Sequence, residues 1–156
     1  MKSEYLELFT EAARSVIEQM GGVTAVAGVP AAPTARSDMG AVTGWIELTS
    51  PRLTGWMSVS FEAALIAGIV ERLLGECVEG ITADVQDTVG ELTNIIAGRV
   101  KAGFSERGVS FAMSSPAVTV GPAAASAAPA EAPITAVPFL TGAGGFVLQL
   151  CLAERS

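Results

Sequence analysis

The stretch that most constrains the fold is residues 84–107, because its spacing of apolar side chains predicts one long amphipathic helix. At about 100° per residue, side chains three or four positions apart return to the same side of a helix. The residues that share one side are Val85, Val89, Leu92, Ile96, Val100 and Gly103. A stripe this continuous predicts that the helix lies against a hydrophobic core.

A narrow polar stripe runs along the opposite side of the same predicted helix. Steps of four, three, four and three residues bring its members to one face: Asp87, Glu91, Asn94, Gly98 and Lys101. Gly90 and Gly98 lie along this stripe, although a glycine in a helix interior costs about 1 kcal/mol relative to alanine. Close approach of another surface would explain both glycines.

Glu91 and Asn94 are the residues of this stripe with useful chemistry. An Asn amide both donates and accepts hydrogen bonds, which suits it to hold a water molecule, whereas a Glu carboxylate pairs with a cation. Neither side chain is a convincing nucleophile. Judged from periodicity alone, a solvated helix face is the simpler interpretation of the whole stripe.

A wider pattern connects this stripe to a known signature, which reads Asp or Ser, three residues, Glu, two residues, Asn, and a Pro further on. Asp87, Glu91, Asn94 and Pro116 fill it, with 21 residues between the last two. Together with a preceding helix that ends in LLGE and the later segments SPAVTVG and VPFLTGAGGFVLQLCL, this pattern resembles the phosphatases of bacterial chemotaxis, the CheC–CheX–FliY family. One signature is present, as in CheX-like members, whereas CheC-like members carry two.

The resemblance implies a catalytic role for two of these residues. It implies that the chain hydrolyses the phosphoaspartate of a CheY-type response regulator. Glu91 would hold the active-site lysine of the regulator, and Asn94 would align a water molecule with the phosphoaspartate. The regulator would bring the aspartyl phosphate and Mg²⁺, so no cofactor or metal is expected on this chain.

The remaining polar-stripe residues are expected at the partner surface: Asp87, Gly90, Gly98 and Lys101. Arg99 stands where CheX-like chains commonly have Asn, which leaves the identity of the partner open. The resemblance also implies a homodimer formed through the sheets. The apolar alternation of residues 146–152 suggests the strand that extends a sheet across the two-fold axis.

Composition excludes several classes of function. The net charge is −7, and no cluster of Lys and Arg is available to neutralise phosphates, which argues against a nucleic-acid partner. The sequence contains no histidine, so histidine-based triads and metal sites are excluded. Cys77 and Cys151 lack metal-binding spacing and lie in apolar surroundings, which predicts buried free thiols.

Two observations bear on location. No uninterrupted apolar run approaches the ~20 residues that span a bilayer, so no membrane insertion is expected. The N-terminal residues MKSEYLELF carry acids where a signal peptide carries basic residues, so no export signal is predicted. The expected location is the cytoplasm.

The rest of the chain predicts an α+β domain, with helices packed on a largely antiparallel sheet, over residues 1–156. A first helix ends at Gly21, a second covers residues 62–74, and residues 121–133 are an Ala/Pro-rich surface loop. The predicted strands are 23–29, 42–49, 56–61, 109–113, 116–120, 134–139 and 146–152. The resemblance implies the same CheC/CheX-like architecture, with the first and third helices side by side.

Two other functions stay open. The first is a non-catalytic module that binds a response regulator or the flagellar switch. The second is a small-molecule sensor that uses Trp45 and Trp56, which alternation places on one face of a hairpin. The presence of both Glu91 and Asn94 favours the phosphatase.

Overall fold

The computed structural model describes residues 2–34, 40–121 and 132–155. Within them the chain forms three helices and seven strands. In chain order these are α1 Ser3–Gly21, β1 Val26–Ala27, β2 Val42–Thr49, β3 Leu53–Phe61, α2 Ala63–Leu74, α3 Ala83–Ser105, β4 Ala112–Met113, β5 Ala117–Val120, β6 Thr135–Thr141 and β7 Gly144–Glu154. The predicted Ala/Pro-rich loop lies mostly outside these ranges, since residues 122–131 are not among them.

The strands form one sheet in the order β1-β6-β7-β3-β2-β4, with β5 also paired to β2. Every pairing among these strands is antiparallel. The three helices bury their apolar sides against one face of this sheet, in a single hydrophobic core. The predicted α+β architecture is therefore confirmed.

Helix α3 lies on the core as its apolar spacing predicts. Its N-terminus is capped by Thr82, whose side-chain oxygen accepts a hydrogen bond from the Val85 N–H at 3.2 Å. Gly103, the last residue of the predicted apolar side, is half-buried against Leu8 of α1, whereas the other five are fully buried: Val85, Val89, Leu92, Ile96 and Val100. The cap and the buried stripe together hold the axis of α3 in a defined place.

Helix α1 lies beside α3, as expected. The Phe104 ring of α3 packs on Tyr5 and Phe9 of α1, with ring centroids 4.8 and 5.8 Å apart. Outside this aromatic contact, the Arg99 guanidinium donates hydrogen bonds to Ser15 Oγ and to Gln19 Oε1 of α1, at 2.8 and 2.6 Å. Arg99, the departure from the signature pattern, thus ties the two helices together.

Several predicted strand limits were wrong. The predicted strand at 23–29 shrinks to Val26–Ala27. The next residue, Gly28, donates its N–H to the Pro138 carbonyl of β6, but Pro138 has no N–H with which to return the bond. Strand β3 begins at Leu53 rather than at residue 56. The reason is a tight turn in which Ser50 Oγ accepts hydrogen bonds from the N–H groups of Arg52 and Leu53.

The proposed dimer strand is also placed differently from the prediction. Strand β7 pairs with β3 along one side and with β6 along the other. Over residues 146–150 it therefore has no unpaired edge, and this stretch cannot extend the sheet into a second copy. Local alternation predicted the strand correctly, but strand order is a property of the whole sheet.

The sheet face opposite the helices carries buried polar side chains. Ser58 and Gln149 are cross-strand partners on that face, and both are fully buried. Trp45 and Trp56 share this face, but Trp45 is opposite Ser58 and Trp56 is opposite Glu47. The two indoles are therefore diagonal neighbours rather than a direct pair.

The two cysteines have different environments. Both are free thiols; Cys151 is buried, as predicted, but Cys77 is exposed. Cys77 follows the end of α2, in a short connection from which Val78 and Ile81, but not Cys77, pack against the core, and this explains the wrong prediction. None of the helices in the described ranges is both long and apolar enough to cross a bilayer.

Candidate functional site

Glu91 and Asn94 lie exposed on the outer side of α3, within one helical turn of each other. Asp87, one turn earlier, is exposed on the same side. Within the described ranges, neither Glu91 nor Asn94 makes a side-chain hydrogen bond or an ion pair. Both side chains are thus available to a molecule that approaches α3 from solvent.

These residues form one wall of an open groove of about 720 Å³. The other wall is the chain between β4 and β5. The α3 wall consists of Gln86, Asp87, Gly90, Glu91 and Asn94, and the opposite wall consists of Met113, Ser114, Ser115, Pro116 and Val118. The fold therefore brings Pro116 next to Glu91 and Asn94, although 21 residues separate Pro116 from Asn94 in sequence.

Gly90 is not on the solvent stripe where the sequence placed it. It is buried, and a Cβ at this position would lie 3.5 Å from Val118 Cγ2 of β5. The reason is that β5, at the edge of the sheet, covers this side of α3. Gly90 belongs to the floor of the groove, where α3 and β5 meet.

Gly98 and Lys101 do not line the groove. Lys101 is exposed further along α3, and Gly98 is half-buried with open space where a Cβ would be. The structure therefore brings Asp87, Gly90 and the pair of Glu91 and Asn94 together around the groove. Gly98 and Lys101 lie further along α3, beyond the end of the groove.

Three polar groove residues were missed from the sequence: Gln86, Ser114 and Ser115. The serines carry no periodic signal, because they lie between two short strands. Their position immediately before Pro116 was the available clue, since a proline at the start of an edge strand is typical of a bulge.

The polar side chains of the groove are two amides, two carboxylates and two hydroxyls: Gln86, Asn94, Asp87, Glu91, Ser114 and Ser115. The exposed thiol of Cys77 is not part of it; this thiol donates a hydrogen bond to Glu71 at 3.4 Å. The Glu71 carboxylate raises the pKa of Cys77, which keeps the thiol protonated. No group of three or more His, Cys, Asp or Glu side chains able to hold a metal ion is present in the part of the chain that the structure describes.

A family match accompanies this geometry. The sequence model of the family described as "Chemotaxis phosphatase CheX" matches residues 42–140, which include α3 and both walls of the groove. The chain therefore belongs to the CheX family of chemotaxis phosphatases. Among curated proteins, none matches the sequence.

Solved structures agree with this assignment. A CheC-like superfamily protein from Shewanella sp. PV-4 has a TM-score of 0.89 and 29% identity, over 98% of this chain and 99% of that chain. A chemotaxis protein CheX from Desulfovibrio desulfuricans has a TM-score of 0.84 and 30% identity, over 96% and 99%. The CheX of a CheX–CheY–BeF3–Mg²⁺ complex from Borrelia burgdorferi shares the fold, with a TM-score of 0.77 and 23% identity over 97% and 98%.

Proposed function

We propose that this chain hydrolyses the phosphoaspartate of a CheY-type response regulator, with Asn94 orienting the attacking water and Glu91 pairing with a lysine of the regulator. The observation that carries the proposal is the exposed pair of Glu91 and Asn94, which lines an open groove on a helix held by a cap and a buried stripe. Membership of a phosphatase family supports it. The Borrelia burgdorferi structure, in which a CheX is in complex with CheY, supports the choice of partner.

The reaction needs little covalent chemistry from this chain. The oxygen of a water molecule attacks the phosphorus atom, the bond to the aspartyl oxygen breaks, and the aspartate leaves as a carboxylate while the water proton passes to the phosphate or to solvent. Such a transfer depends mainly on positioning and on charge stabilisation. Mg²⁺, which the regulator supplies, would stabilise the charge on the phosphoryl oxygens.

Glu91 and Asn94 have different roles in the proposed reaction. The Asn94 amide can accept from and donate to a water molecule at the same time, so it fixes the direction in which the water lone pair points. The Glu91 carboxylate forms an ion pair that becomes stronger when docking removes solvent from the groove. The helix that carries both side chains is fixed by its cap and its buried face, so its backbone needs little reordering when the regulator binds.

The decisive experiment follows the decay of phosphorylated regulators, with catalytic amounts of this protein and Mg²⁺, across several purified CheY-type regulators from the same cell. Asn94→Ala should bind the phosphorylated regulator nearly as well as wild type, but lose turnover by about 10²-fold or more. Glu91→Ala should lose both affinity and rate, on the order of 10-fold or more in affinity, because its ion pair contributes to docking as well as to alignment.

Glu79→Ala is the matched control, since Glu79 is an exposed carboxylate outside the groove; it should behave as wild type. All three variants should keep the wild-type melting temperature, because the side chains are exposed. If no regulator decays faster with wild type, or if Asn94→Ala is as fast as wild type, the phosphatase proposal is wrong. Binding without turnover would then favour a non-catalytic docking module.

The same proposal covers the setting of the reaction. We propose that the protein acts in the cytoplasm, where its regulator would be phosphorylated, and that it does so as a homodimer. The family resemblance supports the dimer, but residues 146–150 of β7 cannot extend the sheet across it, because both edges of that stretch are paired within the sheet.

A further inference from the structure

The groove wall opposite α3 is a β-bulge. Strand β2 pairs with β4 through Leu48 and Met113, and with β5 through Trp45 and Ala117. Between these two pairs, β2 has two residues and the facing chain has three, residues 114–116. One extra residue on one strand defines a bulge, and bulges bend a strand and re-aim its side chains.

Ser114 closes the ladder at the start of this bulge with its side chain. Its N–H donates to the Glu47 carbonyl at 3.1 Å, as in a regular antiparallel pair. The return bond is different, because the Glu47 N–H donates to Ser114 Oγ at 2.9 Å instead of to the Ser114 carbonyl. The same hydroxyl donates to the Ser115 carbonyl at 3.1 Å. One hydroxyl therefore links the bulge both to β2 and to its own next residue.

Pro116 restrains the other end of the bulge. Its ring fixes the backbone φ angle and removes the N–H, and it biases Ser115 towards an extended conformation. A proline is tolerated here because the bulge leaves a position that donates no ladder bond. The segment 114–116 is thus restrained at both ends, by a hydroxyl and by a ring.

This restrained segment faces the residues of the proposed reaction. Ser114, Ser115 and Pro116 line the groove opposite Glu91 and Asn94. The walls meet where Val118 lies over Gly90. A regulator that docks in this groove to reach Glu91 and Asn94 would contact both walls, so the position of the bulge would determine how far along α3 the regulator docks.

We propose that the bulge 114–116 is a second docking wall for the response regulator, and that Ser114 is its positioning residue. Ser115, which is exposed on the same wall, contacts the regulator directly. Ser114 acts through the bulge: its hydroxyl holds the wall at the distance from α3 that puts the phosphoaspartate within reach of the water held by Asn94. This inference rests on the proposed function for the identity of the partner.

The test uses the full chain and the phosphoregulator assay, together with calorimetric affinity for the same regulator. Ser114→Ala should lower kcat by about 10-fold and weaken binding by about 5-fold, because a wall displaced by a fraction of an ångström misaligns the docked phosphate. Ser114→Thr keeps the hydroxyl and should restore both values to within about 2-fold of wild type. Ser115→Ala should raise KM by a few-fold and leave kcat unchanged.

Ser110→Ala is the matched control, because Ser110 is an exposed serine on the connection between α3 and β4, outside the groove; it should match wild type. Melting temperature and binding stoichiometry separate positioning from loss of folded protein. A Ser114→Ala variant with wild-type affinity and kcat overturns the docking wall and leaves the phosphatase standing. The docking wall is likewise overturned if Ser114→Ala loses affinity and kcat but Ser114→Thr does not restore them.

The other outcomes separate the two proposals. If wild type binds a regulator without turnover, and Ser114→Ala weakens that binding, the docking wall holds and the phosphatase fails. If wild type neither binds nor dephosphorylates any regulator tested, both proposals are wrong.

Discussion

Gly98 has no partner within the described fold, because a Cβ at that position would meet nothing within 4 Å. Glycine is unfavourable in a helix interior, and no close packing inside the described fold requires a glycine at this position. Gly90, on the same helix, differs because Val118 lies over it. The two glycines therefore have separate explanations: Gly90 belongs to an internal contact, and Gly98 is an open position next to the proposed docking surface.

Gly98→Ala is expected to stabilise the protein and to weaken regulator binding. Removing glycine from a helix interior should add up to about 1 kcal/mol, which is about 2–4 °C in melting temperature for a domain of this size. The methyl group would then project where the regulator approaches. Gly68→Ala on α2 is the control, because Gly68 is also helical and a Cβ there would also meet nothing within 4 Å. It should show the same stabilisation with unchanged binding; equal binding by both variants would remove Gly98 from the docking surface.

At the scale of elements, the position of α3 depends on its contact with β2. Thr93 is fully buried on α3, and its hydroxyl donates to the Val89 carbonyl at 2.7 Å. Gly44 of β2 lies directly beneath it, and a Cβ on Gly44 would overlap the Thr93 hydroxyl and approach Val89 Cγ1 to 3.2 Å. Because Gly44 has no side chain, α3 lies close to the sheet, and this closeness sets the distance of Glu91 and Asn94 from the sheet.

Gly44→Ala should therefore destabilise the fold by about 1–3 kcal/mol, as overpacking of a close contact does. Thr93→Ala removes the overlapping atoms, so the double variant should lose less than the sum of the two single losses. Denaturant unfolding of all four proteins measures this coupling. Additive losses would show that the contact between α3 and β2 is not limited by these two side chains.

At the scale of the whole molecule, the edge of the sheet formed by β1 and β6 carries exposed apolar residues. Val26 of β1 and Leu140 of β6 are directly opposite each other, and are 65% and 71% exposed. They border a groove of about 530 Å³ on that edge. Since residues 146–150 of β7 are paired on both sides, we expect the proposed homodimer to use this exposed apolar edge.

Sedimentation at micromolar concentration should accordingly show a dimer. Leu140→Lys should shift it to a monomer without lowering the melting temperature, because a charge at an exposed position costs the monomer little but is unfavourable when a second copy covers it. Leu74→Lys, at an exposed leucine on α2, is the control and should remain dimeric. A monomeric wild type would contradict the dimer itself, and a dimeric Leu140→Lys would place its interface elsewhere.

The sequence alone was enough for features that depend on the spacing of neighbouring residues. The buried face of α3 from Val85 to Val100, the limits of β2 and the exposure of Glu91 and Asn94 follow from helical and strand periods, because the direction of a side chain repeats with the local backbone. The signature pattern also predicted that Pro116 belongs with that helix.

Other features were decided only by the tertiary structure, because they depend on which distant segments pair and in which register. Gly90 is buried because β5 covers it, and β7 is enclosed because β3 and β6 flank it. Ser114 becomes a groove residue because an antiparallel register carries one extra residue opposite β2. No local period encodes these pairings: strand order and register minimise the free energy of the whole sheet and its core, not that of any single stretch.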